Sequence, residues 1–179
     1  YKGCPLQGTL DLMNIKDIGE GAFEGCTGLT SVVLPENLLR IEASLFQGCT
    51  GLTVVNIPQC VTTIGTSAFA SCSRLQSVSI PDEVERIEDY AFKGCSNMKR
   101  LAIGNSVKKI GVEAFGECRR LKSLSIPASV DSILSSFVDC DSVSSLELKD
   151  GNRPILIEGK CFNGGNMMID TLYIGRKIS

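Results

Sequence analysis

Histidine and tryptophan are both absent from this 179-residue chain. Without histidine, the Ser-His-Asp and Cys-His nucleophile arrangements cannot be assembled, and imidazole metal sites go with them. With no Trp and only three Tyr, the chain also lacks most of the large amphipathic side chains that anchor tight interfaces. Neither sign of charge dominates: 18 basic residues stand against 20 acidic ones, so no global field points to nucleic acid or to a membrane surface. No apolar run approaches the roughly 18 residues a membrane span needs. The N-terminus has neither Met nor a basic-then-apolar leader, so the chain reads as either mature or excerpted. Neither C-x-x-C nor a glycine-rich phosphate motif occurs, which argues against zinc and nucleotides.

What the chain has instead is a repeat. All seven Phe residues fall on one register: Phe23, Phe46, Phe69, Phe92 and Phe115 are spaced by 23, and Phe137 and Phe162 follow at 22 and 25. Three residues after Phe come Cys26, Cys49, Cys72, Cys95, Cys118 and Cys140, with Gly165 in the seventh copy. An apolar position follows, then an alternating pair such as Val55/Ile57 or Val78/Ile80, then Pro in four copies (Pro35, Pro58, Pro81, Pro127). Self-similarity at this period means stacked supersecondary units whose core is a column. The whole of 1–179 is read as one such domain. It has a degraded copy at 1–17, regular copies over 18–130 and irregular copies over 131–179, and its open repeat ends suggest a piece of a longer chain.

Within a copy, L-x-x-V-x-I has period 2 and reads as a short strand, ended by Pro, which lacks an N–H for the ladder. V-x-x-I turns the corner, with room for a second brief extended piece. The spacing over Ile41–Cys49 predicts one helical turn, closed by glycines such as Gly25, Gly48 and Gly94. Stacking gives about seven parallel strands, roughly 30 Å across at about 4.8 Å each, with the Phe residues as a spine behind them. Asp150–Pro154, a two-residue insertion rich in turn formers, is expected to bulge as a loop. The six register cysteines read as a ladder of buried free thiols rather than disulfides. Cys4, Cys60 and Cys161 lie off it, and Cys60 is the expected exposed thiol.

The pattern L-x-x-L-x-L, continued by I-P, V-x-x-I and A-F-x-x-C, resembles the BspA-like class of leucine-rich repeats. Leu52 to Cys72 fits that class nearly position for position, and the resemblance covers almost the whole chain. Leu45, Ser136 and Cys161 depart from it at the Ala position. It implies a right-handed, curved solenoid with the strands on its concave side, and the helical turns read from the spacing then fall on the convex side. It also implies a cell-surface or secreted protein associated with adhesion and protein binding.

The solvent-facing strand positions form a small, hydroxyl-rich face: Ser31/Val33, Val54/Asn56, Ser77/Ser79, Arg100/Ala102, Ser123/Ser125, Ser145/Glu147 and Thr171/Tyr173. Such a face suits a flat partner, a peptide strand or a glycan, although Ser and Thr are also what any exposed strand tolerates. Ser77, Ser79, Arg100, Ala102, Lys122, Ser123, Ser125 and Tyr173 are the candidate partner-binding residues, with Arg100 and Tyr173 the best single positions. Eight of the 18 basic residues gather in two copies: Lys93, Lys99, Arg100, Lys108, Lys109, Arg119, Arg120 and Lys122. Stacking is expected to bring Lys99, Arg100 and Lys122 to one edge, where an acidic protein or a sulfated or sialylated glycan would fit. A solvated solenoid edge is the plainer reading. Nucleic acid is not expected, for want of interleaved aromatics. The carboxylates Asp82/Glu83/Glu85 and Glu113/Glu117 lie on turns of one column, not across a cleft as a glycosidase needs. The chain therefore reads as a non-enzymatic, cofactor-free, monomeric module binding a protein or glycan. The alternative is a passive structural stalk.

Overall fold

The computed structural model describes residues 1–158, 171–175 and 178. Fourteen short strands occur among them, in chain order: β1 (Gln7–Asp11), β2 (Gly28–Val33), β3 (Arg40–Ile41), β4 (Val54–Val55), β5 (Thr63–Ile64), β6 (Ser77–Ser79) and β7 (Arg86–Ile87). The remainder are β8 (Arg100–Ala102), β9 (Lys109–Ile110), β10 (Ser123–Ile126), β11 (Ser132–Leu134), β12 (Ser145–Leu148), β13 (Leu156–Glu158) and β14 (Thr171–Ile174). Every pairing is parallel. The L-x-x-V-x-I segments supply the front row, β1-β2-β4, β6-β8 and β10-β12-β14, whose groups lie side by side. The V-x-x-I segments build a second, six-stranded sheet, β13-β11-β9-β7-β5-β3. The front row thus has eight strands, because the degraded first copy contributes a complete one.

Strand alternation decides which residues fill the column. Val55 and Val78 point inward, while Val54, Ser77 and Ser79 point out. Ile41, Ile64, Ile87, Ile110 and Ile133 of the second sheet are fully buried. The third wall is the Phe spine. Phe46, Phe69, Phe92, Phe115 and Phe137 are inaccessible to solvent and stack at centroid distances of 5.1–5.5 Å, close to the coil spacing. Tyr1 extends the stack, 5.7 Å from Phe23.

The expected helical turns are not there: no helix occurs among the described residues. The reason lies in where the backbone N–H groups go. Alternate amides of this segment reach the next coil: Phe46 N donates to Ala68 O at 2.8 Å, Phe69 N to Ala91 O at 2.7 Å, and Gly48 N to Ala70 O at 2.7 Å. The amides between them close four-residue β-turns, as Cys49 N does to Phe46 O at 3.1 Å. The chain achieves this with two left-handed residues per coil. Gly48 (φ 72), Ser71 (φ 61), Gly94 (φ 74) and Glu117 (φ 59) occupy one position; Ser44 (φ 55), Ser67 (φ 55) and Tyr90 (φ 61) occupy the other. A residue with positive φ cannot continue an α-helix, so three-to-four spacing here reports stacked turns.

The cysteine ladder does more than fill space. Each thiol donates to the carbonyl of the preceding coil's aromatic residue: Cys49 to Phe23 O at 3.1 Å, Cys72 to Phe46 O at 3.2 Å, Cys95 to Phe69 O at 3.3 Å. That carbonyl also accepts the Cys N–H of its own coil, so both lone pairs are used. Cys4, Cys60 and the six expected ladder cysteines are free, and Cys60 is exposed as expected. Cys4, expected off the ladder, instead stands at its end: its N–H donates to Tyr1 O as that of Cys26 does to Phe23 O. Cys161, Phe162 and Gly165 lie outside the described residues.

The irregular copies are absorbed locally. In the sixth, one residue short, Ser136 takes the Ala position and is completely buried. Its hydroxyl donates to Gly111 O at 2.8 Å and accepts the Leu134 N–H at 3.2 Å. Residues 149–154 form the expected loop between β12 and β13. Despite that detour β14 lands beside β12 in register, Ser145 opposite Thr171.

Candidate functional site

The exposed side of the front row is where the sequence places a binding face. β6 and β8 pair with Ser77 opposite Arg100 and Ser79 opposite Ala102, which sets these residues side by side. Together with Ser123 they line a shallow hollow of about 410 Å³ floored by Val78 and Leu101. Small side chains on both strands keep it open. Arg100 is exposed, forms no ion pair among the described residues, and is the hollow's only charge.

Three of the eight candidate residues stand elsewhere. Ser125 lies next along β10, hydrogen-bonded to the Glu147 carboxylate. Tyr173 lies beyond it, in a separate hollow of about 380 Å³ with Asn105, Ala128, Glu147, Lys149 and Asp150. Its hydroxyl donates to Asp150 Oδ1 at 3.0 Å, and that bond raises the phenol above its ordinary pKa. Lys122 does not line the front hollow: it occupies the repeat position of Lys99, one residue before β10.

The expected single basic edge is therefore divided. Arg100 belongs to the front hollow, whereas Lys99 lines a cleft of about 250 Å³ on the flank with Arg74, Arg120, Thr53, Gln76 and Asn97. Adjacent residues of an extended chain point to different sides, which separates Lys99 from Arg100. Arg74 went unnoticed in the sequence, although it stands 46 residues, two repeats, before Arg120. Other cations are neutralised in place. Lys93 sits 2.6 Å from Glu113 and 3.6 Å from Glu117, and its bond to Glu113 raises its pKa. Lys108 pairs with Glu85 at 3.0 Å, and Arg119 lies 3.9 Å from Glu117. Those pairs engage the turn carboxylates Glu85, Glu113 and Glu117, and Asp82 accepts two hydrogen bonds from Asn105. Lys109 stands apart on β9, beside Arg86 of the second sheet.

Comparison with known proteins agrees with this architecture. The sequence profile of the BspA type leucine rich repeat region matches residues 1–88 and 62–179, with six copies. A leucine-rich repeat protein from Bacteroides ovatus superposes with a TM-score of 0.77 at 24% identity, covering 88% of this chain and 45% of that one. The leucine rich repeat protein of T. pallidum superposes with a TM-score of 0.70 at 29% identity, covering 83% of this chain and 65% of that one. The chain thus spans about half to two thirds of the length of these structures. No curated protein matches it significantly.

Proposed function

Because the chain belongs to the BspA-type leucine-rich-repeat family, we propose that it is a non-enzymatic interaction module that holds a protein partner against the front face of its strands. Leucine-rich-repeat proteins generally mediate protein interaction. The observation that carries the reading for this chain is the hollow in which Ser77, Ser79, Ala102 and Ser123 surround one unpaired guanidinium, that of Arg100. Small hydroxyl side chains let a partner's backbone approach closely, and Arg100 supplies a forked donor for a carboxylate or carbonyl. Adhesion at the cell surface or after secretion is part of the proposal. Its support is the family match, and the ladder thiols are compatible with it because burial withholds the reactive thiolate from oxidants.

The second reading, a passive stalk, draws on a specific feature: no aromatic side chain lines the hollow, and Tyr173 is tied to Asp150. Binding of the protein to immobilised extracellular-matrix proteins decides between the two. One partner held specifically, with affinity reduced about tenfold or more by Arg100→Glu, is the expected result. No specific partner favours the stalk, and a specific partner indifferent to Arg100→Glu and Tyr173→Ala alike would overturn the front-face site.

A further inference from the structure

The flank cleft is built by two repeat positions, two residues apart, over four coils. At one position stand Thr53, Gln76 and Lys99, joined coil to coil by Gln76 N to Thr53 O at 3.3 Å and Lys99 N to Gln76 O at 2.8 Å. At the other stand Arg74, Asn97 and Arg120, with Asn97 Nδ2 donating to Ser73 O at 2.6 Å. The stack's register therefore brings three cations to one cleft whose lining contains no carboxylate. None of the three forms an ion pair among the described residues, in contrast to Lys93, Lys108 and Arg119. Coils repeat at about 4.8 Å, so Arg74 and Arg120 stand roughly 10 Å apart along the stack, with Lys99 between them.

We propose that this cleft binds an anionic polysaccharide laid along the stack. The guanidinium forks of Arg74 and Arg120 and the ammonium of Lys99 meet sulfate or uronate groups by charge-assisted hydrogen bonds. Thr53, Gln76 and Asn97 offer donors and acceptors to sugar hydroxyls. Polynucleotide is disfavoured because no aromatic lines the cleft to stack a base. An acidic protein is disfavoured because no apolar side chain lines it to anchor an interface. The site lies on a different side of the strands from Arg100 and does not rest on the front-face reading.

The test is titration of the protein with a fluorescent heparin oligosaccharide at about 0.15 M salt. Polygalacturonate, dextran and single-stranded DNA of matched length run beside it. Heparin is expected to bind and dextran not to. The triple variant Arg74→Gln/Lys99→Gln/Arg120→Gln should weaken heparin binding at least about tenfold. The triple Lys2→Gln/Lys16→Gln/Lys108→Gln, with the same change of net charge, should weaken it less than about threefold, and Arg100→Glu should leave the cleft's share intact. Polygalacturonate binding as well as heparin would assign the site to uronate, and weaker binding would assign it to sulfate; both keep the proposal. Equal loss in the two triples, no heparin binding at this salt, or tighter binding of DNA would overturn it. The altered side chains are exposed, so each triple should keep the unaltered protein's urea midpoint.

Discussion

A single thiol shows how much one residue of this chain does. Cys49 packs inside the column, donates to Phe23 O, and by burial has its pKa pushed up from 9.0 to about 12. Cys140 is raised to the same value for the same reason, and Cys95 and Cys118 are also held well above 9.0. A raised acid has a definite sign. Below pH 9.0 the thiols are protonated in both folded and unfolded chains, and their contribution to stability is complete. As pH rises from 9.0 toward about 12, the unfolded chain gives up protons that the folded chain keeps, so stability falls. Urea midpoints should therefore be flat from pH 7 to 8.5 and decline above pH 9, less steeply in Cys49→Ala than in the unaltered protein. An equal decline in both would assign the effect to other groups.

Among the described residues the spine is assembled from seven separate turns of chain, Tyr1 and six Phe. Phe69 and Phe92 lie 5.1 Å apart in the middle of the stack, in contact with an aromatic ring on either side. Replacing either by Ala removes buried area and two ring contacts at once, and should cost about 3–5 kcal/mol. Ser79→Ala, on the exposed side of β6, should change stability by less than about 0.5 kcal/mol. Chemical denaturation of the three variants checks the register directly, since comparable losses at Phe69 and Ser79 would contradict it. The same element shows why the helical expectation failed. Leu45, Phe46 and Cys49 share a face at three-to-four spacing, as a helical turn would place them, but the Phe46 amide is taken by Ala68 O of the next coil. Only a neighbouring coil can supply that acceptor, and no property of residues 41–49 in isolation announces it. Ser136 was legible as a departure at the Ala position; that its buried hydroxyl bonds Gly111 O and the Leu134 N–H was not.

Across the whole molecule each coil touches its neighbours only, so stability is a sum of coils and interfaces rather than one all-or-none core. Central coils have a partner on both sides. At the N-terminal end of the described stack, Tyr1, Leu10, Leu12, Ile15 and Ile18 line an apolar hollow of about 370 Å³. Ile15 is 45% exposed there, while Ile41 and Ile64 within the stack are fully buried. Amide hydrogen exchange should consequently be slowest around Ile64, Val78 and Ile87 and faster in β1, graded coil by coil. Uniform protection along the chain would show that the stack unfolds as a single unit.

Periodicity in the sequence determined the coil. The 23-residue register, the inward set of Val, Ile, Phe and Cys, the parallel front strands, the free buried thiols and the exposed Cys60 all follow from residue types recurring where a column must be filled. Tyr1 was legible too, since it stands three residues before Cys4 as six of the seven Phe stand before a Cys. What tertiary structure alone decided is how the coils share hydrogen bonds and how their surfaces divide. The left-handed turns exist because amides seek carbonyls one coil away, and the basic cluster split because neighbouring residues of an extended chain face different sides. Arg100 thereby joined a hydroxyl-lined hollow, and Lys99 joined Arg74 and Arg120, from other coils, in a cleft with no counter-charge. Residues 23 or 46 apart in sequence meet only through stacking, so the composition of each surface is a property of the assembled column.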